Sequence, residues 1–229
     1  MSSIRENIES VKLQLPPGVK LVAVSKTKPV GDIREAYDCG QRIFGENRAM
    51  EMASKYSVLP GDIEWHLIGH LQTNKVRTII GCVSMIESVD TFRLLKVIDS
   101  EAVKCSRVVD CLLQFHIASE ETKSGFSLTD AEEMISSVEF SNLRNIRICG
   151  VMGMATFTDD EEKVRNEFRT LAGYFRSLKS KYFADNPRFT EISMGMSGDF
   201  HTAVAEGSTM VRIGSLIFGA RNYPTPPQE

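Results

Sequence analysis

The sequence has no excess of positive charge, and this absence argues against nucleic acid as a partner. Its 229 residues include 27 lysines and arginines against 30 aspartates and glutamates, which gives a formal net charge of −3. No run of basic residues stands out along the chain. Because proteins hold nucleic acids largely by neutralising phosphates with lysine and arginine, we expect no nucleic-acid partner.

Long apolar runs and paired cysteines are also missing. No apolar run approaches the roughly 20 residues of a membrane span, and the acidic Glu6 lies where an export signal needs an apolar stretch. The five cysteines are odd in number and include no C-x-x-C pair. They are therefore expected to be reduced thiols, not zinc ligands or disulfide partners. These absences predict a cytoplasmic protein without a membrane segment or a metal site.

What the sequence does contain is an alternation of short apolar runs with amphipathic segments. We predict eight strands, at residues 21–25, 42–45, 65–69, 83–89, 109–117, 146–152, 189–194 and 209–213. Two of the segments between them show an apolar face at helical spacing. These faces are Ala131, Met134, Ile135 and Val138 in residues 130–138, and Val164, Phe168, Leu171 and Phe175 in residues 161–178.

Strict alternation of strand and helix calls for parallel strands joined by crossover helices. Eight such repeats in about 230 residues predict an α/β fold, a single-domain (β/α)₈ TIM barrel over residues 1–229. A doubly wound open sheet is the alternative. An extra N-terminal helix is expected over residues 2–13, ended by Pro16 and Pro17, and the proline-rich tail 224–229 is expected to fray.

Two glycine-containing turns follow the last two predicted strands. Residues 193–199 supply Ser193, Met194, Gly195 and Ser197, and residues 212–215 supply Gly214 and Ser215. In barrels of this kind, the loops after strands seven and eight often hold a phosphate. Each turn alone is also typical of an ordinary glycine turn with a capping serine. Their joint position favours a phosphate site.

Lys26 ends the first predicted strand, where side-chain alternation places it with Val22 and Val24 on one side. If that side faces the barrel axis, its amine enters the mouth of the site. A Schiff-base lysine benefits from a desolvated position, because an ordinary lysine is almost fully protonated at neutral pH. A surface cap is the alternative for Lys26. Lys28, in the following loop, is expected to be solvated.

Other polar residues cluster at predicted strand ends. Arg212 lies on the same face as Gly214, from which it would reach the ring of a ligand whose phosphate rests in the turns. The alternative for Arg212 is an interior ion pair with Glu46 or Glu191. Further candidates lie after strands two and three: Asn47, which is placed to contact a ring oxygen, and His66 and His70, whose strand positions favour hydrogen bonding over a metal pair.

Segments across nearly the whole chain, in the same order, resemble one family. They are VSKTKP at 24–29, FGENR at 44–48, WHLIGHLQTNK at 65–75, ESVD at 87–90, ETKSG at 121–125, GVMGM at 150–154, SMGMSGD at 193–199 and VRIG at 211–214. The family is that of the pyridoxal phosphate homeostasis proteins, related to the barrel domain of alanine racemase.

This resemblance implies pyridoxal 5′-phosphate (PLP) as cofactor, with Lys26 as its Schiff-base lysine and Arg212 near the pyridine nitrogen. It implies that residues 193–197, Gly214 and Ser215 hold the phosphate. It further implies a role in buffering PLP or delivering it to apo-enzymes and in balancing amino-acid pools, without strong catalytic turnover. An arginine beside the nitrogen agrees with this role, because it only donates a hydrogen bond and leaves the ring a weak electron sink.

Two enzyme functions stand as alternatives. A PLP-dependent amino-acid racemase needs an acid–base group on each face of its substrate, and in alanine racemase the second is a tyrosine from an additional β domain. The chain ends soon after the last predicted strand, so that domain and the subunit pairing it provides are not expected, and we expect a monomer. Tyr223 is the tyrosine to test. The second alternative is a Schiff-base aldolase, in which Lys26 attacks a sugar-phosphate carbonyl.

Overall fold

Eight parallel strands form a closed barrel in a computed structural model of the chain, which describes residues 3–119 and 124–220. The strands are β1 (Lys20–Val24), β2 (Ile43–Glu46), β3 (Glu64–Leu67), β4 (Val83–Val89), β5 (Val109–Phe115), β6 (Ile146–Gly153), β7 (Glu191–Ser193) and β8 (Met210–Ile213). Each strand pairs with its neighbours in the sequence, and β8 pairs with β1 from Lys20↔Met210 to Ala23↔Ile213. The predicted (β/α)₈ barrel is confirmed, and the open sheet is excluded.

Helices alternate with these strands. They are α1 (Ile4–Leu13), α2 (Val30–Asp38), α3 (Ala49–Tyr56), α4 (Val76–Ile79), α5 (Phe92–Lys104), α6 (Leu128–Ile135), α7 (Val138–Ser141), α8 (Glu161–Lys181), α9 (Phe200–Ala205) and α10 (Ser215–Phe218), with a 3₁₀ helix at Thr73–Lys75. None of the helices in the described part of the chain is long and apolar enough to cross a membrane.

The predicted N-terminal helix is present as α1. Ser3 caps it: the Ser3 hydroxyl accepts a hydrogen bond from the Glu6 N–H, and the Glu6 carboxylate accepts one from the Ser3 N–H. Ile8 and Val11 bury the apolar face. Residue 2 and the predicted tail at 224–229 lie outside the described residues.

Two apolar clusters build the core. The larger one lies between the outer face of the sheet and the helices and includes Phe44, Trp65 and Phe168. The smaller one joins residues of β1, β4, β5, β6 and β8: Val22, Met85, Leu112, Cys149, Met152 and Met210. Strands on opposite sides of a closed sheet meet only across its axis, so this second cluster fills the barrel interior. Val22 therefore faces the interior, as alternation predicts.

The predicted continuous helical face over residues 130–138 is wrong at its end. Helix α6 stops at Ile135, and Val138 begins α7 with 73% of its surface exposed. The cause is Ser137, whose hydroxyl donates to the Met134 carbonyl and accepts from the Phe140 N–H, so that it caps a second helix. Serine at this point competes with the helix backbone and breaks the apolar period.

Strand boundaries differ from the predicted ones by at most two residues. The third and fifth strands end earlier than predicted, which leaves Gly69 and Ile117 beyond the sheet. In a parallel barrel all residues that follow the strands lie at the same rim. Lys26, Asn47, His70, Ser197 and Gly214 are brought to this carboxyl-end rim by five different strands.

Candidate functional site

Lys26 lies two residues beyond the end of β1 and is half-buried. The residue before it, Ser25, is fully buried, and the residue after it, Thr27, has a φ of +65°. A left-handed conformation is unusual for threonine, because its branched Cβ crowds the backbone there. The backbone on both sides of Lys26 is therefore held in a specific shape.

Two neighbouring lysines have structural contacts. The Lys28 amine donates to the carbonyls of Phe218 (2.6 Å) and Ala220 (3.0 Å), at the end of α10. The prediction that Lys28 is solvated is wrong, because the closed barrel brings the loop after β1 against the loop after β8. Lys55, on α3, is buried and donates to the Ser25 carbonyl and to two carboxylates.

A buried chain of polar groups lies inside the barrel below the rim. The Arg212 guanidinium donates to the Ser193 hydroxyl (2.7 Å) and to the Gly153 carbonyl (3.0 Å). The Ser193 hydroxyl donates to Oε2 of Glu87 (2.5 Å), and Nδ1 of His66 donates to Oε1 of the same carboxylate (2.7 Å). The expected hydrogen-bonding role of His66 inside the barrel is confirmed.

The carboxylate near Arg212 is Glu87, with 4.0 Å between the guanidinium and Oε2. The alternative of an interior ion pair between Arg212 and a glutamate is therefore confirmed, but both suggested partners were wrong, because Glu46 pairs with Lys55 and Glu191 pairs with Lys20. Glu87 is the one charged residue in strand β4, which was the available signal for it in the sequence. No local sequence pattern indicates that Arg212 faces Glu87 across the barrel.

Within this buried chain of polar groups, the opposite charges of Glu87 and Arg212 offset each other. Burial by itself raises the pKa of Glu87, but the hydrogen bond from His66, the charges of His66 and Arg212, and the Ser193 hydroxyl together lower that pKa below its ordinary value. Burial lowers the pKa of Arg212, and the charges of Glu87 and Asp199 oppose that shift. An arginine stays protonated in either case. The interior thus holds a fixed guanidinium beneath the rim.

The two glycine turns are tied directly to each other. The Arg212 N–H donates to the Gly195 carbonyl (2.9 Å), and the Gly214 N–H approaches the Ser197 hydroxyl (3.4 Å). Gly195 has a φ of +96°, and a Cβ built there would lie 2.6 Å from Cβ of Ala203. A Cβ on Gly214 would lie 3.1 Å from the Val24 carbonyl oxygen, at the end of β1. Position 195 therefore requires glycine, and Gly214 packs the second turn closely against the strand that leads to Lys26.

The residues predicted for the turns occupy different positions. Ser197 is half-buried and Ser215 is exposed, both at the rim, where hydroxyl and N–H groups suit a phosphate. Ser193 and Met194 are fully buried, and the Met194 N–H donates to the Met210 carbonyl. The structure thus brings Ser197, Gly214 and Ser215 together at the rim, and turns the side chains of Ser193 and Met194 into the protein.

Asn47 and His70 complete the rim on the side of β2 and β3. A Cβ on Gly69 would lie 2.5 Å from the Asn47 carbonyl oxygen, so these two loops pack closely. Nδ1 of His70 donates to Oδ2 of Asp90 (3.0 Å), and the imidazole side chain is 63% exposed. Asp90, which sequence reasoning did not select, orients this ring from the end of β4.

Comparisons with known proteins identify the family of the chain. The family model described as the N-terminal domain of alanine racemase matches residues 1–222. The pyridoxal phosphate homeostasis protein of Aquifex aeolicus is 41% identical over 206 residues, covering 89% of this chain and 88% of that protein. The protein of the same name from Escherichia coli K12 is 34% identical over 230 residues, covering 97% and 96%.

Solved structures give the same result. PipY of Synechococcus elongatus, solved with PLP bound, has a TM-score of 0.86 and 36% identity, covering 95% of this chain and 100% of its own. The alanine racemase of Clostridium difficile has a TM-score of 0.71 at 15% identity, a likeness that shows the fold alone. The match covers 98% of this chain and 57% of the racemase chain.

Proposed function

Since the chain belongs to the pyridoxal phosphate homeostasis protein family, we propose that it binds PLP at the carboxyl-end rim of the barrel and buffers or delivers it. The observation that carries this proposal is the contact between the two glycine turns and the end of β1. This contact brings Ser197 and Gly214 next to the strand that leads to Lys26, which supports a phosphate site there.

Each polar group at the site has a matching part of the cofactor. Lys26 would bind the aldehyde through its amine, and Gly195, Ser197, Gly214 and Ser215 would hold the phosphate with N–H and hydroxyl groups. Further out, Asn47 would contact the ring oxygen, and His70 would lie beside it. Ser193 and Met194 would contribute by shaping the turn, since their side chains are buried.

The predicted position of Arg212 favours a protein that holds PLP over an enzyme that runs a demanding reaction with it. Bound PLP supplies an electrophilic aldehyde and a ring that withdraws electrons best when its nitrogen is protonated. The positive charge of Arg212 is balanced by the Glu87 carboxylate. Its guanidinium has five N–H donors and no acceptor, and it stays protonated. Placed at the nitrogen, it would keep that nitrogen unprotonated. We therefore propose a carrier and regulator of PLP supply without strong turnover.

The proposal also covers domain organisation, oligomeric state, cellular location and partners. One domain over residues 1–229 would carry the function as a monomer in the cytoplasm, and apo-enzymes that need PLP would be its partners. Racemisation is the second candidate, because the fold is that of the racemase barrel. Its test residue, Tyr223, lies outside the described residues. A Schiff-base aldolase is the third candidate, and it would need no PLP.

The test is spectroscopic. We expect the protein to turn yellow with equimolar PLP, to bleach with borohydride, and to carry the reduced cofactor on Lys26 in peptide mass spectrometry. Lys26→Ala should remain colourless. Lys28→Ala is the matched control and should keep the adduct on Lys26, because the Lys28 amine is bound to two carbonyls. A wild-type protein that stays colourless with excess PLP would overturn the proposal.

The rate of racemisation distinguishes a PLP carrier from a racemase. The PLP-loaded protein is incubated with single enantiomers of alanine and serine, and chirality is followed over time. Rates above about one per second, the low end of common enzyme turnover, would replace the carrier by the racemase.

A further inference from the structure

We propose that Glu46, Glu51 and Lys55 form an ion network whose task is to position Lys26 for PLP, an inference that rests on the proposed function. These three residues lie outside the barrel, between β2 and α3, and are here called the Lys55 network. Among the described residues, its side-chain hydrogen bonds outside the three members go to Ser25 and Thr27. It acts on the backbone on each side of Lys26.

The Lys55 network holds Ser25, the residue before Lys26, through its carbonyl and its hydroxyl. Nζ of Lys55 donates to the Ser25 carbonyl at 2.8 Å. The Ser25 hydroxyl donates to Oε1 of Glu46 at 2.6 Å, and the same oxygen accepts from Nζ of Lys55 at 2.7 Å. Ser25 is therefore fixed to both partners of one ion pair.

The network also holds the residue after Lys26. Oε1 of Glu51 accepts from the Thr27 N–H at 2.6 Å and from Nζ of Lys55 at 2.7 Å. Thr27 has the left-handed φ of +65°. A strained conformation of this kind persists only where surrounding contacts hold it, and such strain concentrates at functional sites. The Glu51 carboxylate is one contact that holds it here, and the hydrogen bond from the Lys28 N–H to the Ser25 carbonyl (3.0 Å) is another.

Lys55 itself is a positioning residue. An ammonium group has three N–H donors, and the Ser25 carbonyl, Glu46 and Glu51 take all three. Its side chain is only 8% exposed. An amine committed in this way cannot also be the one that bonds to an aldehyde, although it lies near one end of the Lys26 loop.

Stability does not explain why the network is there. Glu46 is fully buried, its Oε2 atom has no hydrogen-bond partner among residues 3–119 and 124–220, and burial raises its pKa against the opposing effect of Lys55. A buried ion pair is usually no more stabilising than well-packed apolar side chains of the same size. Its directional bonds, however, fix backbone position, and a covalent site requires its amine within about half an ångström.

Glu51 offers the cleanest test, because its side chain is 23% exposed and Lys55 keeps its ion pair with Glu46 when Glu51 is replaced. Glu51→Ala removes the acceptor of the Thr27 N–H. Glu51→Gln keeps an acceptor oxygen, and both variants lose the same negative charge in the first turn of α3. We expect Glu51→Ala to weaken PLP binding about tenfold, the effect of losing one hydrogen bond to a charged group. Glu51→Gln should stay within about twofold of wild type.

Three measurements separate positioning from folding: PLP affinity by absorbance, the pH titration of the bound cofactor's absorbance, and the thermal midpoint of the PLP-free protein. We expect Glu51→Ala to change the first two and also to lower the third, because the Thr27 hydrogen bond is present in the PLP-free protein. Lys20→Met removes an ion pair with Glu191 at the opposite end of the barrel. It should lower the thermal midpoint and leave affinity and pH titration unchanged.

Lys55→Met should weaken binding more than Glu51→Ala does. If it does not fold, the Glu51 pair decides the question. Unchanged affinity and an unchanged pH titration in Glu51→Ala would overturn the positioning role while leaving PLP binding intact. Equal losses in Glu51→Ala and Glu51→Gln would also overturn it, since they would trace the effect to charge. Failure of the wild type to bind PLP refutes the proposed function instead.

Discussion

Arg212 and Glu87 are predicted to be strongly coupled in stability, although a serine hydroxyl lies between them. The perturbation is a double-mutant cycle of Arg212→Met, Glu87→Gln and the double variant. Both side chains are almost entirely buried, and the guanidinium lies 4.0 Å from the carboxylate. Removing one partner deprives the other buried charge of its ion-pair partner, whereas removing both takes the two opposite charges away together.

The magnitude follows from burial and distance. Leaving one member of a buried pair unpaired costs about 3–5 kcal/mol. Arg212→Met also loses the hydrogen bonds to Ser193 and to the Gly153 carbonyl. Glu87→Gln keeps the side-chain shape and removes the charge. In the double variant both penalties for an unpaired charge disappear, so its cost should fall short of the sum of the single costs by about 2 kcal/mol.

Urea unfolding of the PLP-free protein, followed by far-ultraviolet circular dichroism, measures all four free energies of unfolding. Domains of ordinary stability, about 5–15 kcal/mol, leave room for losses of this size. The half-buried pair Arg147–Asp110 is the matched control. Its cycle should give about 1 kcal/mol or less, because partly exposed ion pairs contribute little. Additivity within about 0.5 kcal/mol for Arg212 and Glu87 would refute the compensation argument.

The remaining predictions concern the turns, acid stability and the broken helix. Gly195→Ala should lower stability by about 1–3 kcal/mol and weaken PLP binding, as measured by urea unfolding and absorbance, because its φ is +96° and the new Cβ would clash. Gly198→Ala, where a Cβ meets nothing within 4 Å, should do neither. The lowered pKa of Glu87 stabilises the fold above pH 4.5, its ordinary value, and this contribution should be lost as pH falls through the lowered pKa. Acid unfolding of Glu87→Gln should therefore depend less on pH in that range, and an unchanged profile would contradict the assignment. Val138→Ala should change the free energy of unfolding by less than about 0.5 kcal/mol and Met134→Ala by about 2 kcal/mol or more, since only Met134 is buried.

Strand positions were predictable because each strand carries its own signal. An apolar run such as Val83–Val89 is bounded on both sides by polar or turn residues, and parallel order follows from the alternation with helices. The glycine turns were predictable for the same reason, since their place after two strands decides where they lie. Ser137 shows where local pattern failed: its capping bonds outweighed an apolar period that continued in the sequence.

Pairings across the barrel were not predictable. Glu87 and Arg212 lie on β4 and β8, and only closure of the sheet brings them together. Lys28 was expected in solvent because a loop lysine next to proline gives no sign of distant carbonyls. Contacts of this kind depend on three-dimensional position, and a sequence read in short windows contains no information about them.

Two buried ionic groups adjoin the proposed cofactor site, one inside the barrel and one outside it. Part of the interior is an apolar layer, with Val22, Met85 and Leu112 packed across the axis. A barrel selected for stability alone would extend that layer to the rim, because apolar packing costs no desolvation of charge. The charged groups therefore lie where direction matters more than stability: a guanidinium held by Ser193 and the Gly153 carbonyl, and a lysine network that contacts the residues on each side of Lys26. Such an arrangement suits a protein that must hold a reactive aldehyde in one geometry and still release it.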